Sequence, residues 1–63
     1  MNHWEVYGQC KKCKDCMTFE IKEDDDGQLI ECYGNNKVVA VRGLKTRFFH
    51  SCSGEINVLD AVP

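Results

Sequence analysis

Cys10-Lys11-Lys12-Cys13-Lys14-Asp15-Cys16 sets three thiols within one short stretch, and its reading decides how so short a chain can fold. Two overlapping pairs, Cys10 with Cys13 and Cys13 with Cys16, each enclose two residues. That spacing lets a tight turn aim two thiolates at one ion while backbone N–H groups point toward the sulfurs, which is the half-site of structural zinc. Lys11, Lys12 and Lys14 surround the turn, and nearby positive charge favours the metal-binding thiolate over the thiol.

The rest of the chain shows why such a site is needed. Sixty-three residues are expected to make one domain spanning 1–63, with a modest core and little margin of stability. Ordering a small scaffold costs on the order of 1.5 kcal/mol per residue, which burial roughly cancels. Five cysteines in this length therefore read as the missing staple. The start, Met1-Asn2-His3-Trp4-Glu5-Val6-Tyr7, lacks the apolar run of a signal peptide, and no stretch is long enough to span a bilayer. The expected location is the reducing cytoplasm, where clustered cysteines bind metal more often than they form disulfides. The odd cysteine count also argues against a complete set of internal disulfides.

Tetrahedral zinc takes four ligands, so one pair must be completed from further along the chain. Cys32, Cys52 and His50 are the candidates. Cys32 sits where the segment Leu29-Ile30-Glu31 gives way to Gly34, and Cys52 lies just before the turn Ser53-Gly54. In an extended segment His50 and Cys52 face the same side and could ligate together. Within the first cluster, Cys10 with Cys13 is the preferred pair, because Cys16 would then open the next strand as a small buried residue. That choice also puts Tyr7 just ahead of the site as a shield. Cys13 with Cys16 is the competing choice.

These residues, from Cys10 to Cys52, resemble the class of zinc-ribbon and zinc-finger domains, in which β-hairpins deliver knuckles to a shared ion. The resemblance implies a closed, structural site and a small β fold. The chain departs from the usual ribbon in that only the first pair is intact, since Asn35 stands three residues beyond Cys32. An iron–sulfur centre on closely spaced cysteines is the chemical alternative, but the ferredoxin run ending in Cys-Pro is absent.

Period-two alternation supplies the fold class. Met17, Phe19 and Ile21 alternate with Thr18, Glu20 and Lys22, which predicts a strand. Glu23-Asp24-Asp25-Asp26-Gly27 follows as a turn, then a second strand at Leu29–Tyr33. Lys37–Arg42, rich in valine, predicts a third. Thr46–His50 predicts a fourth, and Glu55–Leu59 a fifth, whose apolar run on to Val62 reads as the last core strand, with an edge strand that pairs with another chain as the alternative. No helical stripe is present. The expectation is a small, mainly β, zinc-stapled antiparallel meander or a ribbon-like, partly closed barrel, with Trp4 and Tyr7 in a short N-terminal arm.

Function is less constrained. With no phosphate-cradling loop or zinc-hydrolase motif, and little length for a water-excluding cleft, the chain is expected not to be an enzyme. A formal charge of −2 lacks the bulk signature of a nucleic-acid binder. The expected role is docking on a larger protein as a regulator, inhibitor or small subunit, with Trp4 and Tyr7 as aromatic anchors. The alternative is a nucleic-acid-binding ribbon that uses Arg42, Lys45 and Arg47 with Phe48 or Phe49. No membrane contact is expected.

Overall fold

The computed structural model describes residues 2–63. Six strands follow one another: β1 (Asn2–Cys10), β2 (Cys16–Glu23), β3 (Leu29–Tyr33), β4 (Val38–Val41), β5 (Arg47–His50) and β6 (Ile56–Val62). The described residues contain no helix. Every pairing is antiparallel. One sheet has the order β3-β2-β1-β6 and the other is the β4-β5 hairpin. The sheets do not close into a barrel, so the meander expectation describes β1 to β3, and the partly closed barrel is not formed.

The alternation read in the sequence is the one that builds β2. Phe19 and Ile21 are buried and Met17 packs against them, while Thr18 stays in water. The turn that follows is held by its own first acid. Asp24 Oδ1 accepts the backbone N–H groups of Asp26 and Gln28, both at 2.9 Å. Gly27 supplies the positive φ of 79° that the reversal requires.

The N-terminal arm of the sequence reading is instead the strand around which the larger sheet is built. β1 pairs with β2 from Asn2↔Glu23 to Gln9↔Cys16, and with β6 from Cys10↔Ile56 to Glu5↔Val62. Its inward row is Trp4, Val6, Gly8 and Cys10. Glycine and cysteine in that row hide the period-two pattern that valine or isoleucine would display. Gly8 is required by close packing, since a Cβ there would lie 2.5 Å from the Ile56 side chain.

The last strand also differs from expectation. Ile56 alone in β6 is buried, and Asn57 to Val62 are exposed along the edge of the sheet. The register shifts between Tyr7 and Gly8, which face Asp60 and Val58. Leu59 is left as the extra residue of a bulge, a device that twists a sheet edge and blunts it against further pairing.

The core lies between the two sheets. Val6, Phe19, Ile21 and Ile56 of the larger sheet meet Val38 and Phe48 of the smaller. The Phe19 and Phe48 rings contact at 4.9 Å between centroids with a 52° tilt, a favourable edge-inclined geometry. So few buried side chains leave each one with a large share of the stability. Phe19→Ala is expected to cost about 3–5 kcal/mol. Denaturant unfolding of the metal-loaded protein should show a strongly lowered midpoint, and an unchanged midpoint would contradict this core.

Candidate metal centre

Two hairpin ends converge at one pole of the molecule. The first, Lys11 to Asp15, joins β1 to β2. The Lys14 N–H donates to the Cys10 carbonyl at 3.0 Å, and the Cys10 N–H donates to the Asp15 carbonyl at 2.9 Å. Lys14 takes a φ of 68° to make this turn. The second, Ser51 to Gly54, joins β5 to β6 by the same logic. Its Ser53 N–H donates to the His50 carbonyl at 2.9 Å, and its His50 N–H to the Gly54 carbonyl at 2.8 Å. Ser53 adopts a φ of 69°. Pairing of β1 with β6 sets the two ends side by side, and the Lys11 N–H to the Glu55 carbonyl at 2.9 Å extends that pairing into the turns.

The result is a cluster of four donors, Cys10, Cys13, His50 and Cys52, whose ligand atoms all lie within 4.8 Å of one another. Cys10 Sγ is 3.4 Å from Cys52 Sγ. His50 Nδ1 lies 3.3 Å from both Cys13 Sγ and Cys52 Sγ. Cys10 is buried, His50 and Cys52 are half-buried, and Cys13 is at the surface. Three sulfurs and one imidazole nitrogen, drawn from two turns 37 to 42 residues apart, could hold a single metal ion.

The first turn is built to stabilise negative charge on sulfur. The backbone N–H groups of Lys12 and Cys13 point at Cys10 Sγ from 3.4 and 3.5 Å. The Cys13 N–H is the main influence on that thiol. With the Lys12 N–H and the neighbouring thiols of Cys52 and Cys13, it outweighs burial and holds Cys10 at about 6. Cys13 behaves oppositely. The Asp15 N–H is the strongest single influence and lowers its pKa, but desolvation and the Cys10 and Cys52 sulfurs together push it up to about 11. The metal-free cluster thus carries thiolate on Cys10 readily and resists further ionisation, as expected where like charges would crowd. A bound cation removes that resistance.

Three supporting features were not singled out in the sequence as parts of the site. Gly54 is buried against the sulfurs, and a Cβ there would lie 2.5 Å from Cys10 Sγ and 3.3 Å from Cys52 Sγ. Its place two residues after Cys52 was the available signal, read only as a turn. Lys12 Nζ donates to the Cys52 carbonyl at 3.2 Å and ties the two turns together. Glu55 accepts two hydrogen bonds from Arg47, at 2.9 and 3.1 Å. Arg47, with Lys11 and Lys45 adding to it, holds this carboxyl below its usual range.

The other sequence candidates lie elsewhere. Cys16 opens β2 as expected, but it is exposed rather than buried, and it is outside the four-donor group. Cys32 is on β3 opposite Ile21 and packs against the core, where burial pushes its thiol up. Tyr7 faces away from the buried row and donates to Glu5 at 2.6 Å, so it does not shield the cluster. Trp4 is half-buried and donates through its indole N–H to Glu23 at 2.6 Å. Phe48 is buried, which leaves Phe49 as the outward-facing aromatic of the adjacent pair.

Comparison of the chain with protein-family models, with curated proteins and with solved structures finds no match. The case for the site therefore stands on its geometry.

Single substitutions separate the donors from the bystanders. Cys10→Ser, Cys13→Ser, Cys52→Ser and His50→Ala should each abolish stoichiometric metal binding, whereas Cys16→Ser and Cys32→Ala should retain it. Gly54→Ala should lose metal as the cysteine variants do, although it removes no donor. Metal analysis of each purified variant checks all of these, and a metal-free Cys16→Ser protein would contradict the assignment. Loading should also release protons into weakly buffered solution at pH 7, because Cys13 enters as a thiol and ligates as a thiolate. Affinity for the metal should fall as the pH drops, and more steeply below about 6, where Cys10 of the metal-free protein is also protonated and must lose that proton to ligate.

Proposed function

We propose that the chain is a zinc-stapled, non-enzymatic interaction module that docks on a larger protein. The observation that carries the zinc reading is the donor set itself, Cys10, Cys13, His50 and Cys52 within 4.8 Å. With bonds of about 2.3 Å to sulfur and 2.0–2.1 Å to nitrogen, a tetrahedral zinc ion spaces its ligand atoms roughly 3.5–3.8 Å apart. Donors at 3.3 and 3.4 Å need only small movements to receive it. A group drawn this close supports a single ion over a multi-iron cluster.

Four protein ligands close the coordination sphere, so no position is left for a substrate or an activated water. That supports a structural role for the ion over a catalytic one. The distribution of apolar surface supports a protein partner. Ile30, Val39, Val41, Leu44, Val58 and Leu59 are all exposed, a large share of the aliphatic residues of so short a chain. Among the described residues no helix is long and apolar enough to cross a membrane. The basic groups weighed for nucleic acid are largely engaged within the chain. Arg47 forks onto Glu55, Arg42 donates to the Ile30 carbonyl at 2.8 Å, and Phe48 is in the core.

The test is the size and chemistry of the native assembly. An epitope-tagged chain in extracts of its source cells should elute with a larger protein after nuclease treatment and in half-molar salt. A strong chelator should release it. Elution as the free chain, or loss of the assembly to nuclease, would contradict the proposal.

A further inference from the structure

The charge of this chain is segregated along its length. From Cys32 to Gly54 there are four cations, Lys37, Arg42, Lys45 and Arg47, and not one of the ten acids. The remainder holds the other four cations and all the acids. Both strands of the smaller sheet fall in the basic segment, so β4 and β5 form a positive hairpin on a protein whose net charge is negative.

That hairpin has an apolar outer face. Val38, Ala40 and Phe48 point toward the core. The pairs Val39↔Phe49 and Val41↔Arg47 therefore share the opposite face. The solvated face of an antiparallel sheet is ordinarily polar, yet here Val39 is 59% and Val41 48% exposed. Phe49 is half-buried opposite Val39, with the Arg47 guanidinium 5.3 Å from its ring centroid. At the hairpin tip Leu44 stands wholly in water, and Lys45 beside it is exposed. Arg47 is held in place by Glu55 and Arg42 by the Ile30 carbonyl, so the charges rimming this face are positioned before any partner arrives.

We propose that the outer face of the β4-β5 hairpin is the docking surface, and that its occupant is a protein surface presenting aliphatic side chains ringed by carboxylates. The inference rests on the reading of the chain as a protein-binding module. The aliphatic row matches an apolar patch, and Lys37, Arg42 and Lys45, which form no salt bridge among the described residues, match an acidic rim. Bases stack on aromatic faces rather than on valine and leucine, and the one outward aromatic is already covered by Arg47. A membrane-inserting tip would concentrate large apolar groups at one depth, whereas here the row runs along the strands with Leu44 alone at the tip. The metal centre anchors this surface directly, because His50 ends β5.

Nuclear magnetic resonance of the zinc-loaded full chain tests the proposal, with a synthetic peptide of leucine and phenylalanine set among aspartates and glutamates as the probe. Saturable shifts should centre on Val39, Val41, Leu44 and Phe49. Leu44→Ser and Lys45→Glu, both at the exposed tip, should each weaken the peptide roughly tenfold. Their metal content and circular dichroism should stay those of the parent. Stronger shifts with oligothymidylate or phosphatidylserine vesicles, or shifts of this face with protein concentration alone, would overturn the assignment by naming another occupant. No shift, or a response on the Glu5, Glu20 and Asp60 face, would overturn it while leaving the module reading to the assembly experiment.

Discussion

Everything in this structure depends on bringing Cys10 and Cys13 against His50 and Cys52. The two pairs are separated by most of the chain, and closing so long a loop is costly for a fold whose buried side chains are few. Under the proposed zinc reading, an ion bound by all four in the folded state offsets that cost, since structural zinc sites contribute roughly 10–16 kcal/mol at neutral pH. That exceeds the entire net stability of many small domains. On that reading the site is the condition for the fold rather than an addition to it.

From that closure the remaining architecture follows. Two turns at one pole place β1 beside β6, and with β6 fixed the β4-β5 hairpin swings across the inner face of the larger sheet. There Val38 and Phe48 complete a core that Val6, Phe19, Ile21 and Ile56 cannot close alone. The larger sheet leaves its outer side mostly polar, with Glu5, Thr18, Glu20 and Asp60 on it beside Tyr7. The smaller sheet does not, and keeps valines and a phenylalanine toward solvent. One pole thus carries the four-donor cluster, and the hairpin leading from it presents the apolar, basic surface.

Much of this was legible in the sequence, for identifiable reasons. β2 was readable from its alternation, and β3, β4 and β5 from β-branched or aromatic residues set between turn signals, while the acidic turn at Asp24–Gly27 has the chemistry its geometry requires. β1 was not readable, because Gly8 and Cys10 occupy inward positions for reasons outside their own segment: the Ile56 side chain fills the space of one, and the metal pole takes the other. β6 looked like a core strand from its composition, but position at a sheet edge decides burial and composition does not. The six thiol and imidazole candidates could be named from spacing, while the grouping of four depends on which strands become neighbours. Cys32 and His50 are equally plausible in one dimension. In three, Cys32 faces the core from β3, two strands away from β1, while His50 ends the strand that leads into the second turn.

X-ray absorption at the zinc edge of the purified protein tests the central claim most directly. The account predicts a single zinc environment of three sulfurs near 2.3 Å and one nitrogen at roughly 2.0–2.1 Å, with the multiple-scattering signature of imidazole. A four-sulfur environment would bring Cys16 or Cys32 into the site in place of His50. That result, or protein that folds without bound metal, would contradict it.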